Sequence, residues 1–289
     1  MNLHDVVLAL LKASIFLSVF ATGLEAKPED AIFLLSRPWQ LARSLFAMAI
    51  VMPLAATALV TAFDLRPAVE IALVALAISP VPPLLPKKQI KADGDPSYAI
   101  GLLVLSAVVA IILIPLAIEG LGEFFQTPIH IKPWPIARLA LFTVLIPLGL
   151  GMAARQLAPA IAIKVSRPLA LLAAILLIAS ALMVLFALKT AMWDLIGGGT
   201  IVAIVAFVIL GLAVGHWLGG PDPHDRTVLA LATAARHPAI ALTIATATFP
   251  DEKAEVPAIM LYLILGAVLA IPYVMWRRRV DPALVMGRG

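Results

Sequence analysis

The stretch T-V-L-A-L-A-T-A-A-R-H-P-A-I-A-L-T-I-A-T-A-T-F-P, Thr227 to Pro250, decides how the rest of the chain is read. It is apolar for most of its length, yet Arg236, His237 and Pro238 stand in a row near its middle. A charged side chain near a bilayer centre costs several kcal/mol and sits there beside a partner or a cavity. Proline withholds a backbone N–H and opens the helix that contains it. Irregular backbone at membrane depth is tolerated only where protein or a cavity surrounds it. The stretch therefore reads as a broken membrane helix built around a site. The plainer alternative is that Arg236 pairs with a neighbour and Pro238 only kinks the helix.

Composition sets the class. Of 289 residues, 62% are hydrophobic and 13% charged, and apolar runs of about 20 residues match a helix crossing a hydrocarbon core. This is expected to be an all-α polytopic membrane protein. Nine apolar segments are predicted, near 5–24, 38–62, 67–85, 97–118, 135–157, 167–188, 198–218, 227–248 and 256–276. The chain has no cysteine, which excludes thiol catalysis and thiolate metal sites. Its five tryptophans, Trp39, Trp134, Trp193, Trp217 and Trp276, fall at or near segment ends, where amphipathic rings anchor helices at the headgroups.

The connections sort by charge. Lys27, Arg37, Lys87, Lys88, Lys91, Arg155, Lys164, Arg167, Arg226, Arg277, Arg278, Arg279 and Arg288 fall on one side, and only Arg66, Lys132, Lys189 and Lys253 on the other. The positive-inside bias then places the C-terminus in the cytoplasm and, with nine crossings, the N-terminus outside. The membrane expected is a bacterial inner membrane. Acids collect in the external connections, at Glu119, Glu123, Asp194, Asp251, Glu252 and Glu255.

An internal repeat is visible. A shift of 158 lays Ala72-Leu73 on Ala230-Leu231, Pro80 on Pro238, Leu84 on Leu242 and Leu54 on Leu212. Ile114-Pro115 matches Ile271-Pro272 after a slip of one residue. The expected units are a first repeat over 1–118, a connecting loop and spacer helix over 119–158, and a second repeat with its tail over 159–289. An odd number of crossings separates equivalent points, so the copies run through the membrane in opposite senses. Inverted repeats with paired broken helices are the pattern of secondary transporters, with the site where the breaks meet.

The first break is Ser79 to Pro86, S-P-V-P-P-L-L-P, in which Pro80, Pro82, Pro83 and Pro86 forbid a regular helix. The following K-K-Q-I-K, Lys87 to Lys91, is too polar to face lipid. It reads either as a half-helix with a basic lining or as a cytoplasmic loop whose lysines set topology.

Several stretches resemble the bile acid:sodium symporter family. They are T-G-L-E-A-K-P-E-D-A-I-F-L-L-S-R-P at Thr22–Pro38, V-M-P at Val51–Pro53, D-L-R-P-A-V-E at Asp64–Glu70, Pro80, A-D-G-D at Ala92–Asp95, and Thr227–Leu242. Some members have ten helices, and the match leaves nine here. The resemblance implies a panel and a core, the core holding two discontinuous helices that cross, here about 67–93 and 227–248. It also implies a secondary transporter of organic anions. No placed Ser–His set or paired Asp is seen, which argues against an intramembrane enzyme.

The departures concern sodium. The family's first break reads P-G-G-T-A-S-N, where this chain has Leu85 and Pro86 in place of the serine and asparagine. The second reads E-V-G-M-Q-N, where this chain has Ala232 to His237, A-T-A-A-R-H. A family glutamine falls at Met48. Sodium needs several oxygen ligands, so the two family sodium sites are expected to be lost, leaving transport proton-coupled or uncoupled. Arg236 is a permanent cation suited to carboxylate, sulfonate or phosphate. The expected substrate-binding residues are Arg236, His237, Thr233, Ser79, Lys87 and Lys88, with His237 either a proton carrier or a neutral hydrogen-bonded imidazole. No cofactor and no metal are implied. The expected partners are a small organic anion and the lipid bilayer, not nucleic acid, with monomer and homodimer both open. A receptor of the same fold that binds an anion without moving it is the alternative.

Overall fold

The computed structural model describes residues 3–124, 132–249 and 254–280, and these are helical with short connections. Pro128, Asp251, Glu252, Lys253 and Arg288 lie outside the described residues. In chain order the main helices are α1 (Leu3–Gly23), α2 (Pro38–Ala62), α3 (Pro67–Ile78), α4 (Leu85–Lys91), α5 (Pro96–Phe124), α6 (Pro133–Leu157), α7 (Pro159–Asp194), α8 (Thr200–Leu218), α9 (Pro223–Ala234), α10 (Pro238–Thr248) and α11 (Glu255–Val280). Among the described residues eight helical spans are long and apolar enough to cross a membrane, with α9 and α10 together forming one. The ninth predicted segment is the pair α3 and α4, each too short to cross alone.

The polar stretch after the first break is a half-helix and not a loop. Several helices deviate from the predicted bounds. α7 starts at Pro159 and runs 36 residues, so Lys164 and Arg167 lie on a helix and not in a connection. At 1.5 Å per residue it is about 54 Å long and must extend beyond the hydrocarbon. α5 continues to Phe124, past the predicted end near 118. Glu255, expected in an external connection, opens α11 and is buried. α9 starts four residues before the predicted stretch, at Pro223, with Asp222 capping it by accepting from the His224 N–H at 2.8 Å.

Two groups of helices emerge from the packing. α1 lies against α6 and α7, while α3 packs on α2, α10 and α11, and α8 packs on α9 and α11. The α1–α6 contact is close because glycines meet: a Cβ on Gly23 would fall 3.0 Å from Gly151 Cα, and one on Gly151 would strike the Phe20 carbonyl. α8 and α9 interlock in the same way. Gly211, Gly215 and Gly219 recur every fourth residue, and a Cβ on them would lie 2.8, 2.5 and 2.5 Å from the Cα atoms of Ala234, Ala230 and Arg226. The antiparallel register of these pairs brings backbones as near as small residues allow.

Burial differs sharply between spans. In the most apolar window of the α9–α10 span 72% of residues are buried, against 11% in α7. The broken span is thus interior, and α7 faces lipid.

Candidate functional site

Both breaks follow from prolines. α3 ends at Ile78 and Ser79 turns extended. Pro80, Pro82 and Pro83 offer no N–H, so carbonyls of this segment are left without helical donors. Val81 is the non-proline residue among them, and its N–H donates to Ser106 Oγ on α5 at 3.3 Å. In the second break α9 stops at Ala234, Ala235 and His237 are extended, and Pro238 begins α10. Pro238 at the first helical position suits a missing N–H.

The two breaks touch. The His237 N–H donates to the Pro80 carbonyl at 3.0 Å. Arg236 Nη1 donates to the Ser79 carbonyl at 3.2 Å and Nη2 to the Met48 carbonyl on α2 at 3.4 Å. Arg236 and His237 are each 1% exposed, which makes the guanidinium a fully interior cation. Among the described residues no carboxylate lies within ion-pair distance of it.

The Met48 carbonyl is free for a specific reason. Ala47–Val51 is a π-turn, and the Met52 N–H bonds the Ala47 carbonyl five residues back. In that register the donor for Met48 would be residue 53, which is proline. V-M-P at Val51–Pro53 thus leaves a carbonyl inside α2, and the guanidinium takes it.

The imidazole of His237 caps α10. Its Nδ1 accepts from the Ile240 N–H at 3.3 Å, so in this arrangement the proton sits on Nε2. Tyr262 on α11, which sequence reasoning missed, donates its hydroxyl to the Ala234 carbonyl at 2.6 Å, satisfying the last carbonyl of the opened α9. Its ring packs edge-on against Phe207 at 6.0 Å. A lone tyrosine in an apolar run carries no signal of this role in sequence.

The remaining expected residues are placed differently. Ser79 contributes its carbonyl, while its hydroxyl donates to Leu76 at 2.8 Å. Thr233 faces α8, with its hydroxyl 2.5 Å from the Gly211 carbonyl, and not the break. Lys87 and Lys88 lie on α4, half-buried, and among the described residues neither is hydrogen-bonded to Arg236 or His237. Lys87 Nζ is shielded and has no hydrogen-bond partner among the described residues. Between the two lysines and the second half, Gln89 ties α4 to α9 by donating to the Val228 carbonyl at 2.8 Å. Farther along, His224 Nδ1 lies 2.6 Å from the Asp93 carbonyl. Pro86 sits in the first turn of α4, outside the irregular part of the break.

The family model described as Sodium Bile acid symporter family aligns with residues 13–194, well over half the chain. A search of curated proteins finds no individual match.

Proposed function

The chain belongs to the sodium bile acid symporter family, and on that premise we propose that it is a secondary transporter of small organic anions that works without the family's two sodium sites. The observation that carries this reading is the position of Arg236. It stands where the resemblance puts a glutamine of the family's second break, and its guanidinium reaches the Met48 carbonyl, at a second such position, and the Ser79 carbonyl at the start of the first break. A fixed cation there repels sodium and supplies its charge permanently. An organic anion then needs no co-bound sodium, and its approach is favoured by the same field.

The half-helix α4 carries Lys87 and Lys88 next to the first break. Their charges would draw an anion toward the crossing from the cytoplasmic side, where the charge bias of the connections puts them. The mechanism is alternating access, with the broken helices and their neighbours moving against α1, α6 and α7. Because His237 Nδ1 is engaged as a helix cap, taking up a proton there would cost the cap. This favours uncoupled over His237-proton-coupled transport.

Uptake of radiolabelled organic anions into proteoliposomes tests the reading. Saturable uptake in potassium buffer, unchanged on adding a sodium gradient and abolished in Arg236→Ala, is the expected result. Saturable binding without flux would make the protein a receptor with this fold, and uptake that needs sodium would overturn the sodium-free reading.

A further inference from the structure

Two arginines meet at one glycine where the α8–α9 connection begins. Gly220 adopts φ +94°, and a Cβ there would fall 2.8 Å from Nη1 of Arg43 on α2. At the same residue, Arg226 Nε donates to the Gly220 carbonyl at 2.6 Å. Arg43 directs its own Nε to the Trp39 carbonyl at 3.4 Å, one turn back in α2. The Nη nitrogens of both arginines have no protein acceptor among the described residues, and none of them is enclosed. Both side chains are only half-buried. No carboxylate among the described residues lies within ion-pair distance of either guanidinium. Asp222, two residues along, accepts from the His224 N–H as the cap of α9. Like charges held this close repel, and an anion between them relieves the repulsion.

The surroundings belong to the membrane boundary. Trp39, one turn before Arg43, is 73% exposed, and Trp217, three residues before Gly220, is 87% exposed. Exposed indoles on spanning helices sit at headgroup level. α2 and α8 pack on each other. Deeper in the span both turn apolar side chains outward, Phe46 and Ile50 on α2 and Ile209 and Leu210 on α8.

We propose that this corner binds an anionic phospholipid, its phosphodiester held by the guanidiniums of Arg43 and Arg226 at the Gly220 turn and its acyl chains lying on the outward faces of α2 and α8. Guanidinium nitrogens suit phosphate oxygens in charge and geometry. The occupant is a lipid because the two cations open onto a face of exposed indoles and aliphatic side chains. Two guanidiniums without a paired carboxylate favour a headgroup of net negative charge over a zwitterion, whose own cation would be brought toward them. The charge bias of the connections puts this corner on the cytoplasmic leaflet, whose anionic lipids attract basic residues. Neither arginine touches the crossing of the broken helices, so this site is independent of the transport reading.

The test is thermal stability of the detergent-purified full chain titrated with dioleoyl phosphatidylglycerol, dioleoyl phosphatidylcholine or inorganic phosphate. Binding to the folded state raises stability by mass action, so phosphatidylglycerol should raise Tm saturably by roughly 2–4 °C, and the other two should not. Arg43→Gln and Arg226→Gln should each raise the half-saturating phosphatidylglycerol concentration about tenfold. Arg167→Gln, which removes an exposed basic residue of α7, should leave it unchanged. Each variant is compared with its own lipid-free melting curve, so a loss of basal stability does not imitate a loss of binding. Native mass spectrometry of the unaltered protein, released from nanodiscs of equal phosphatidylglycerol and phosphatidylcholine, should retain phosphatidylglycerol. Equal shifts with both lipids, a phosphatidylglycerol response that survives Arg43→Gln and Arg226→Gln, or one lost equally in Arg167→Gln would each overturn the site. The same shift with inorganic phosphate would make it a free-anion site and overturn the lipid assignment.

Discussion

The backbone N–H of His237 donates to the carbonyl of Pro80 at 3.0 Å, so the two interruptions of the chain are bonded to each other directly. These residues are 157 positions apart, and each flanks or forms a proline break. Neither break satisfies all of its own backbone. Each is completed by the other half of the chain, or by a side chain from α5 or α11. The crossing is therefore a joint structure, and a change on either side is expected to reach the other.

Arg236 separates a structural role from a functional one. Replacing a buried charge by an apolar side chain of similar length is often neutral or stabilising, because the desolvation cost disappears with the charge. Arg236→Met is thus expected to change the stability of the ligand-free protein by less than about 2 kcal/mol while removing its response to organic anions. Chemical or thermal denaturation in detergent measures the first and ligand-induced shifts the second. A loss of more than about 4 kcal/mol would make the arginine a structural staple.

Tyr262→Phe tests the cap on the opened helix. It removes only the hydroxyl, leaving the Ala234 carbonyl buried without its donor, and is expected to cost about 1–3 kcal/mol. The loss should appear in hydrogen exchange as faster exchange at residues 235–237. Unchanged exchange there would show that α11 does not hold the break.

The glycine stripe of α8 predicts a steep size dependence. A Cβ at Gly215 would lie 2.5 Å from Ala230 Cα and would also meet the Thr233 hydroxyl. Overpacking of this kind costs about 1–3 kcal/mol for alanine, and Gly215→Val should abolish recovery of folded protein. Gly149, where a Cβ meets nothing within 4 Å, is the control and should tolerate alanine. Size-exclusion yield and melting temperature compare the two positions.

Much of this architecture is readable from residue order, and the unreadable parts have physical causes. Pro80, Pro238 and the charge at Arg236 announce the two breaks, because proline cannot continue a regular helix and a cation inside the membrane is costly away from a site. The partner of Arg236 is not announced. It is the backbone of Met48, freed by a π-turn and Pro53, and backbone acceptors carry no residue label. Tyr262 and the donor role of Gln89 are hidden for a similar reason, since their partners are carbonyls. Thr233 misleads in the opposite direction: a polar residue near a break looks like a ligand, but its register on α9 turns it toward α8. α7 extends past its predicted ends because its charged residues Lys164 and Arg167 are compatible with helix outside the hydrocarbon.

The absence of cysteine makes orientation directly testable. Single cysteines at Ile196, in the α7–α8 connection, and at Pro221, in the α8–α9 connection, lie at opposite ends of α8. With the C-terminus cytoplasmic, Ile196→Cys is expected to react with a membrane-impermeant maleimide on intact cells, and Pro221→Cys only after permeabilisation. The reverse pattern would invert the topology drawn from the lysines and arginines.

The most direct test of the central claim is the melting temperature of the purified protein against individual bile acids, sulfo-conjugates and small carboxylates, with sodium or potassium as the sole cation. Ligand binding raises stability by about 2.7 kcal/mol at a hundredfold excess over Kd. The same upward shift is expected in both salts for an organic anion that binds, and its loss in Arg236→Met. Stabilisation that appears only in sodium would contradict that claim.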